Sequence, residues 1–150
     1  MTGSPQITYP VITLIAGIGI PVMAGMNAHL GARLGNPAAA SVVLFFVGLI
    51  AGLLTLGFTD LPTRATVLAA PRLYFLGGLL MAFYVLSITW IAPRFGVGNA
   101  IFFVLLGQLI SASIIDHFGL FGATAVPIEG RRIIGLIFMT VGVFLARRMG

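Results

Sequence analysis

The stretch from Ala38 to Phe58, AAASVVLFFVGLIAGLLTLGF, decides the fold of this chain. It holds no charged residue, and its only side-chain hydroxyls are those of Ser41 and Thr55. Coiled as an α-helix at ~1.5 Å per residue, such a run matches the hydrocarbon core of a bilayer, about 30 Å thick. The apolar positions are continuous, without the short alternating segments of a membrane β-barrel. The rest of the chain agrees. Of 150 residues, 59% are hydrophobic and 7% charged, and the mean hydropathy is +1.15. A soluble domain carries roughly 25% charged residues, so this surface cannot be solvated as a globule. The expected fold class is an all-α membrane protein.

Working outward, four more runs read as spans, making a single five-helix transmembrane domain over residues 1–150. The first covers about 10–28 and the second about 38–58, separated by the turn-rich Gly31-Ala-Arg-Leu-Gly-Asn-Pro37. Residues 59–72, with Pro62 and Pro71, form a loop. The third span covers about 73–91. Ala92-Pro-Arg-Phe-Gly96 is a tight turn, since Pro93 ends a helix and Gly96 permits an unusual backbone angle. The fourth covers about 97–116, and after a loop the fifth covers about 131–146. The fifth is short, and its flanking Arg131, Arg132, Arg147 and Arg148 can snorkel to the headgroups. The N-terminus has no basic region ahead of its apolar run, so it reads as a retained helix rather than a signal peptide.

Charge and chemistry narrow the function. The net charge is +5 and every basic residue is an arginine. The arginines stand singly or in pairs between apolar runs, where topogenic charges belong, which argues against nucleic acid. With five spans, one face carries Arg64, Arg72, Arg131 and Arg132, and the other Arg33, Arg94, Arg147 and Arg148. Orientation follows arginine and lysine bias, and this count has none. Two readings stay open: insertion in both orientations, or one orientation set by arginine position or depth. Two oppositely oriented copies would form an inverted-repeat bundle, the geometry many secondary transporters use around a midplane site. No cysteine is present, which removes disulfides, thiolate metal sites and a cysteine nucleophile. No metal-spaced cluster, nucleotide loop or catalytic arrangement is found, so neither an enzyme nor a cofactor is expected.

Polar residues at depth are few. Gln108 lies near the centre of the fourth span with Ser111 one turn later, and Tyr84 and Ser87 form a similar pair in the third. Each is either an interhelical bond or part of a substrate pocket. Trp90 near a span end reads as an interfacial anchor. Asn27 and Asn99 lie near span ends, where they cap or turn the chain, and Asn27 is also a candidate for the substrate-binding set. Asp116 is too near the headgroups for midplane proton exchange. With His117 it reads as a helix end or gate that meets an arginine. Pro21 frees a backbone carbonyl and gives a kink that a moving helix can use. Small residues recur in several spans. Gly135 and Gly142 give the fifth a smooth face, read either as ordinary packing or as a dimer contact.

Taken together, Pro21, Asn27, Leu30-Gly31, Pro37, Gly77-Gly78, Tyr84-Val85, Pro93-Arg94-Phe95-Gly96, Gly107-Gln108 and Ile115-Asp-His-Phe-Gly119 form a pattern that resembles the YdcZ-like family of the drug/metabolite transporter superfamily. The resemblance covers nearly the whole chain. It implies a five-helix bacterial inner-membrane protein equivalent to half of a ten-helix transporter, paired as an antiparallel homodimer or with an oppositely oriented subunit. Met23 stands where a glutamine is expected shortly after the helix-one proline. The related small multidrug resistance proteins use four helices and a glutamate in the first. This first span has no acid, so their cation/proton exchange does not carry over. The expected function is secondary transport of a small organic molecule or metabolite by alternating access. The alternative is a non-transporting assembly subunit or a passive channel. The expected partners are a small-molecule substrate, the lipid bilayer and a second, antiparallel copy.

Overall fold

In a computed structural model, residues 5–146 are described, and all regular structure among them is helical. In chain order the helices are α1 (Pro5–Arg33), α2 (Pro37–Leu56), α3 (Arg64–Ala69), α4 (Gly77–Phe95), α5 (Val97–Phe118) and α6 (Gly130–Ala146). Short 3-10 turns cover Arg72–Leu76 and Leu120–Gly122. Four segments are long and apolar enough to cross a membrane: Ile7–Arg33, Pro37–Leu56, Arg72–Phe95 and Val97–Phe118. At 17 residues α6 is shorter, about 25 Å at the helical rise. Arg147 and Arg148 lie outside the described residues.

Three boundaries differ from the sequence-based expectation. First, α1 does not stop near residue 28 but runs through Pro10 and Pro21 to Arg33. Proline is tolerated in a membrane helix because neighbouring groups re-satisfy the backbone it frees. The helix ends where Gly35 turns left-handed at φ 63°. Asn36 then starts α2, its Oδ1 accepting from the backbone N–H groups of Ala38 (3.0 Å) and Ala39 (3.1 Å). Asn27 therefore caps nothing; it sits inside α1.

Second, the 59–72 loop contains α3, started by Thr63, whose Oγ1 accepts from Thr66 N–H at 3.2 Å. A threonine followed by helix formers outweighs the flanking prolines.

Third, Ala92–Gly96 is not a turn. α4 continues through Pro93 to Phe95, because a proline this close to a C-terminus removes only one hydrogen bond, to the Thr89 carbonyl. The break is Gly96 alone, at φ 88°, and Asn99 Nδ2 donates to the Phe95 carbonyl across it at 2.9 Å.

The helices gather into two compact units, one ending at Arg94 and the other beginning at Phe95. In the first, α1 packs on α2 and bonds to α4 through Asn27 and Thr89. Its buried residues are small or polar: Ala24, Asn27, Ala28, Ala40, Ser41, Thr89 and Ala92, joined by Val85 and Ile88. Gly31 marks the tightest approach. A Cβ there would lie 3.0 Å from Thr89 Cγ2 and 3.2 Å from Pro37 Cα. In the second unit α5 packs on α6, and the buried residues are Ala100, Ser113 and Val143. The large apolar side chains, such as Phe46, Leu54, Phe83, Phe138 and Leu145, point outward. Small residues inside and large ones outside is the pattern of helices that pack by close backbone approach in lipid.

Candidate functional site

Asn27 and Thr89 form the deepest polar contact. Asn27 Nδ2 donates to Thr89 Oγ1 at 2.6 Å, and Thr89 Oγ1 donates to the Val85 carbonyl at 2.7 Å. The two residues are 5% and 2% exposed. Each lies six residues before the end of its helix, about 9 Å along the axis, so α1 and α4 bring them to one level. Sequence reasoning missed Thr89. No local signal marked it, because the equal distance from the helix ends appears only once α1 is seen to reach Arg33 and α4 to reach Phe95.

Beyond this bond lies a cavity of about 370 Å³ walled by Gly31, Pro37, Pro93 and Arg94. The guanidinium of Arg94 is already engaged, since its Nη1 donates to the Trp90 carbonyl and it stacks 4.9 Å from the centroid of the Trp90 ring. The indole expected as an interfacial anchor thus also holds the arginine at the helix end.

Gln108 stands at the middle of α5 and is exposed, as is Ser111 one turn on. Gln108 has no hydrogen-bond partner among the described residues. In the first unit Tyr84 and Ser87 share one face of α4, both half-buried. The Tyr84 hydroxyl is itself buried and has no partner among the described residues. An amide or hydroxyl kept from water without a hydrogen bond costs roughly 1–3 kcal/mol on mutational scales. Groups of this kind near the centre of apolar helices call for a partner that their own helix does not supply. Pro21 is half-buried within α1.

Asp116 and His117 end α5. Asp116 Oδ2 accepts from Arg132 Nη2 at 2.8 Å, both side chains being about a third exposed (38% and 35%). His117 Nδ1 accepts from the Ile128 N–H at 3.0 Å. The sequence counted Arg132 as a topogenic charge flanking the fifth span and expected Asp116 to meet an arginine, without naming which. On α6, a Cβ at Gly135 or Gly142 would meet nothing within 4 Å, so that face is open. No group of three or more His, Cys, Asp or Glu capable of holding a metal occurs among the described residues.

These features define a polytopic helical membrane protein, with polar groups held at mid-helix and, among the described residues, one ion pair at a helix end. A family model described as "Putative inner membrane exporter, YdcZ" matches residues 8–145. The chain belongs to this YdcZ family. It is an inner-membrane protein of a family concerned with membrane transport and not an enzyme family. No curated protein and no solved structure matches the chain.

Proposed function

We propose that this protein is a secondary transporter that exports a small organic molecule by alternating access, built from two antiparallel copies. Gln108 carries the reading. An unpartnered amide at the middle of a spanning helix is costly against lipid, and it is satisfied by a water-filled cavity, a substrate or a second subunit. In an antiparallel pair, residues at mid-depth meet their symmetry mates at the same level, whereas residues near helix ends are sent to opposite faces. Gln108 and Ser111 are then the polar lining of a shared central site, contributed by both copies, and Tyr84 and Ser87 are a second pair of substrate-binding candidates on α4. An amide and a phenol suit a small polar or amphipathic solute, since they hydrogen-bond without a buried charge.

This arrangement takes α6 as a fifth, short span whose leading Arg131 reaches the headgroups by snorkelling. Its open Gly135 and Gly142 face is the contact between copies. The even arginine split supports insertion in both orientations.

Topology is the first test. The chain has no native cysteine, so single cysteines placed in the 59–63 segment report without background. They will label with an impermeant thiol reagent from both sides of intact membranes. Labelling from one side only ends the homodimeric form of the proposal. Two lysines added to one face will bias insertion and lower transport, because one orientation becomes scarce. The second test is a thermal-shift screen of small amphipathic solutes on purified protein, followed by gradient-driven accumulation of each hit in sealed inverted vesicles. Hits that bind but equilibrate without accumulating indicate a passive channel instead.

A further inference from the structure

The segment 119–129 folds back over the end of α5 and is held there at three points. The Val126 N–H donates to the Asp116 carbonyl at 2.7 Å. The Ile128 N–H donates to His117 Nδ1 at 3.0 Å. Arg132, in the first turn of α6, bridges to the Asp116 carboxylate at 2.8 Å. The strap is tightly wound, with Gly119 at φ 59°, Phe121 at φ 58° and Gly122 at φ 82°. A phenylalanine in the left-handed region is uncommon and persists where its surroundings hold it.

One of these fastenings depends on a proton. A backbone N–H can donate to Nδ1 only while that nitrogen keeps its lone pair, so the bonded imidazole is neutral with its hydrogen on Nε2. Protonation turns Nδ1 into a donor facing a donor. We infer that His117 is a pH-operated fastener of the strap joining α5 to α6, closed when its imidazole is neutral and open when it is charged.

The surroundings leave the switch free to act. The charged groups on the elements packed here are Asp116 on α5, Glu129 in the strap, and Arg131 and Arg132 on α6. Asp116 is occupied by Arg132. Opening takes up a proton, so the strap is closed at high pH and loosens as pH falls through the imidazole range. This holds whether or not the protein transports by alternating access.

The test is amide exchange of the full-length protein in detergent, corrected for the intrinsic pH dependence of exchange. Between about pH 8 and about pH 5, protection of the Ile128 and Val126 amides will fall roughly tenfold, the loss of one hydrogen bond, while amides at the middle of α5 hold constant. In His117→Asn the amide oxygen takes the place of Nδ1 and cannot titrate, so protection will stay high across the range. His117→Ala will be open throughout. Protection in the parent that does not change with pH overturns the inference. So does loss of protection over the same range in His117→Asn, which would assign the titration to a carboxylate.

Discussion

With leucine at position 108, the protein will insert and pair as the parent does but will carry no solute. Leucine nearly matches the volume of glutamine and keeps the helical preference of α5, so folding is not the step at risk. Gln108 makes no hydrogen bond within the described chain, so removing its amide leaves no internal partner stranded. What disappears is a donor and an acceptor at mid-depth, twice over if the protein works as the proposed antiparallel pair. A site built to hydrogen-bond its ligand loses selectivity and affinity steeply when that bond is removed. Accumulation in inverted vesicles is expected to fall at least tenfold, with the cross-linked dimer fraction and the thermal midpoint of the unliganded protein unchanged. Ser111→Ala will show the same pattern more weakly. Normal transport in Gln108→Leu, or loss only through misfolding, makes Gln108 a structural residue and moves the site elsewhere.

The second large effect is on stability and separates two kinds of glycine. Gly31→Leu will unfold the first unit or prevent its accumulation, because its hypothetical Cβ already meets Thr89 Cγ2 at 3.0 Å and the backbone of Pro37 at 3.2 Å. Overpacking of this sort typically costs 1–3 kcal/mol, and here one of the neighbours is main chain and cannot rotate away. The same displacement would part Asn27 from Thr89. Gly135→Leu and Gly142→Leu meet nothing within 4 Å and will leave the melting of the isolated chain unchanged. If α6 is the contact between copies, they will instead reduce the dimer fraction. Equal melting losses at Gly31 and Gly135 would show that the Gly31 contact does not hold the unit together.

Four of the spans were legible because burial in lipid is dictated by composition over about 20 residues. Ala38–Phe58 placed α2 to within two residues of the observed Pro37–Leu56. Helix ends were less legible. Pro93 read as a breaker by rules learned in water, yet like Pro10 and Pro21 it lies inside a helix. Gly31 looked like a turn residue because it precedes a glycine and a proline, but it is helical and serves as a packing surface. The polar residues could be picked out by rarity, but not paired. That Asn27 meets Thr89 depends on α1 and α4 lying side by side, which no local pattern states. The fastening at His117 was similarly out of reach, because its partner is a backbone N–H eleven residues away and carries no side-chain signature.

The inside-small, outside-large packing also sets which genetic changes this protein can absorb. In a soluble domain, substitutions are most freely accepted on the surface and least in a core of large apolar groups. Here the large apolar positions, such as Phe46, Leu79, Phe83 and Leu145, face outward, where one bulky residue can replace another at little cost to the chain. The positions under constraint are Ala24, Ala28, Ala40, Ser41 and Ala92, which are buried, and Gly31, where an added Cβ would crowd Thr89 and Pro37. Lineages of this protein are therefore free to drift in the residues that make it hydrophobic, and are held to a narrow alphabet where it is small.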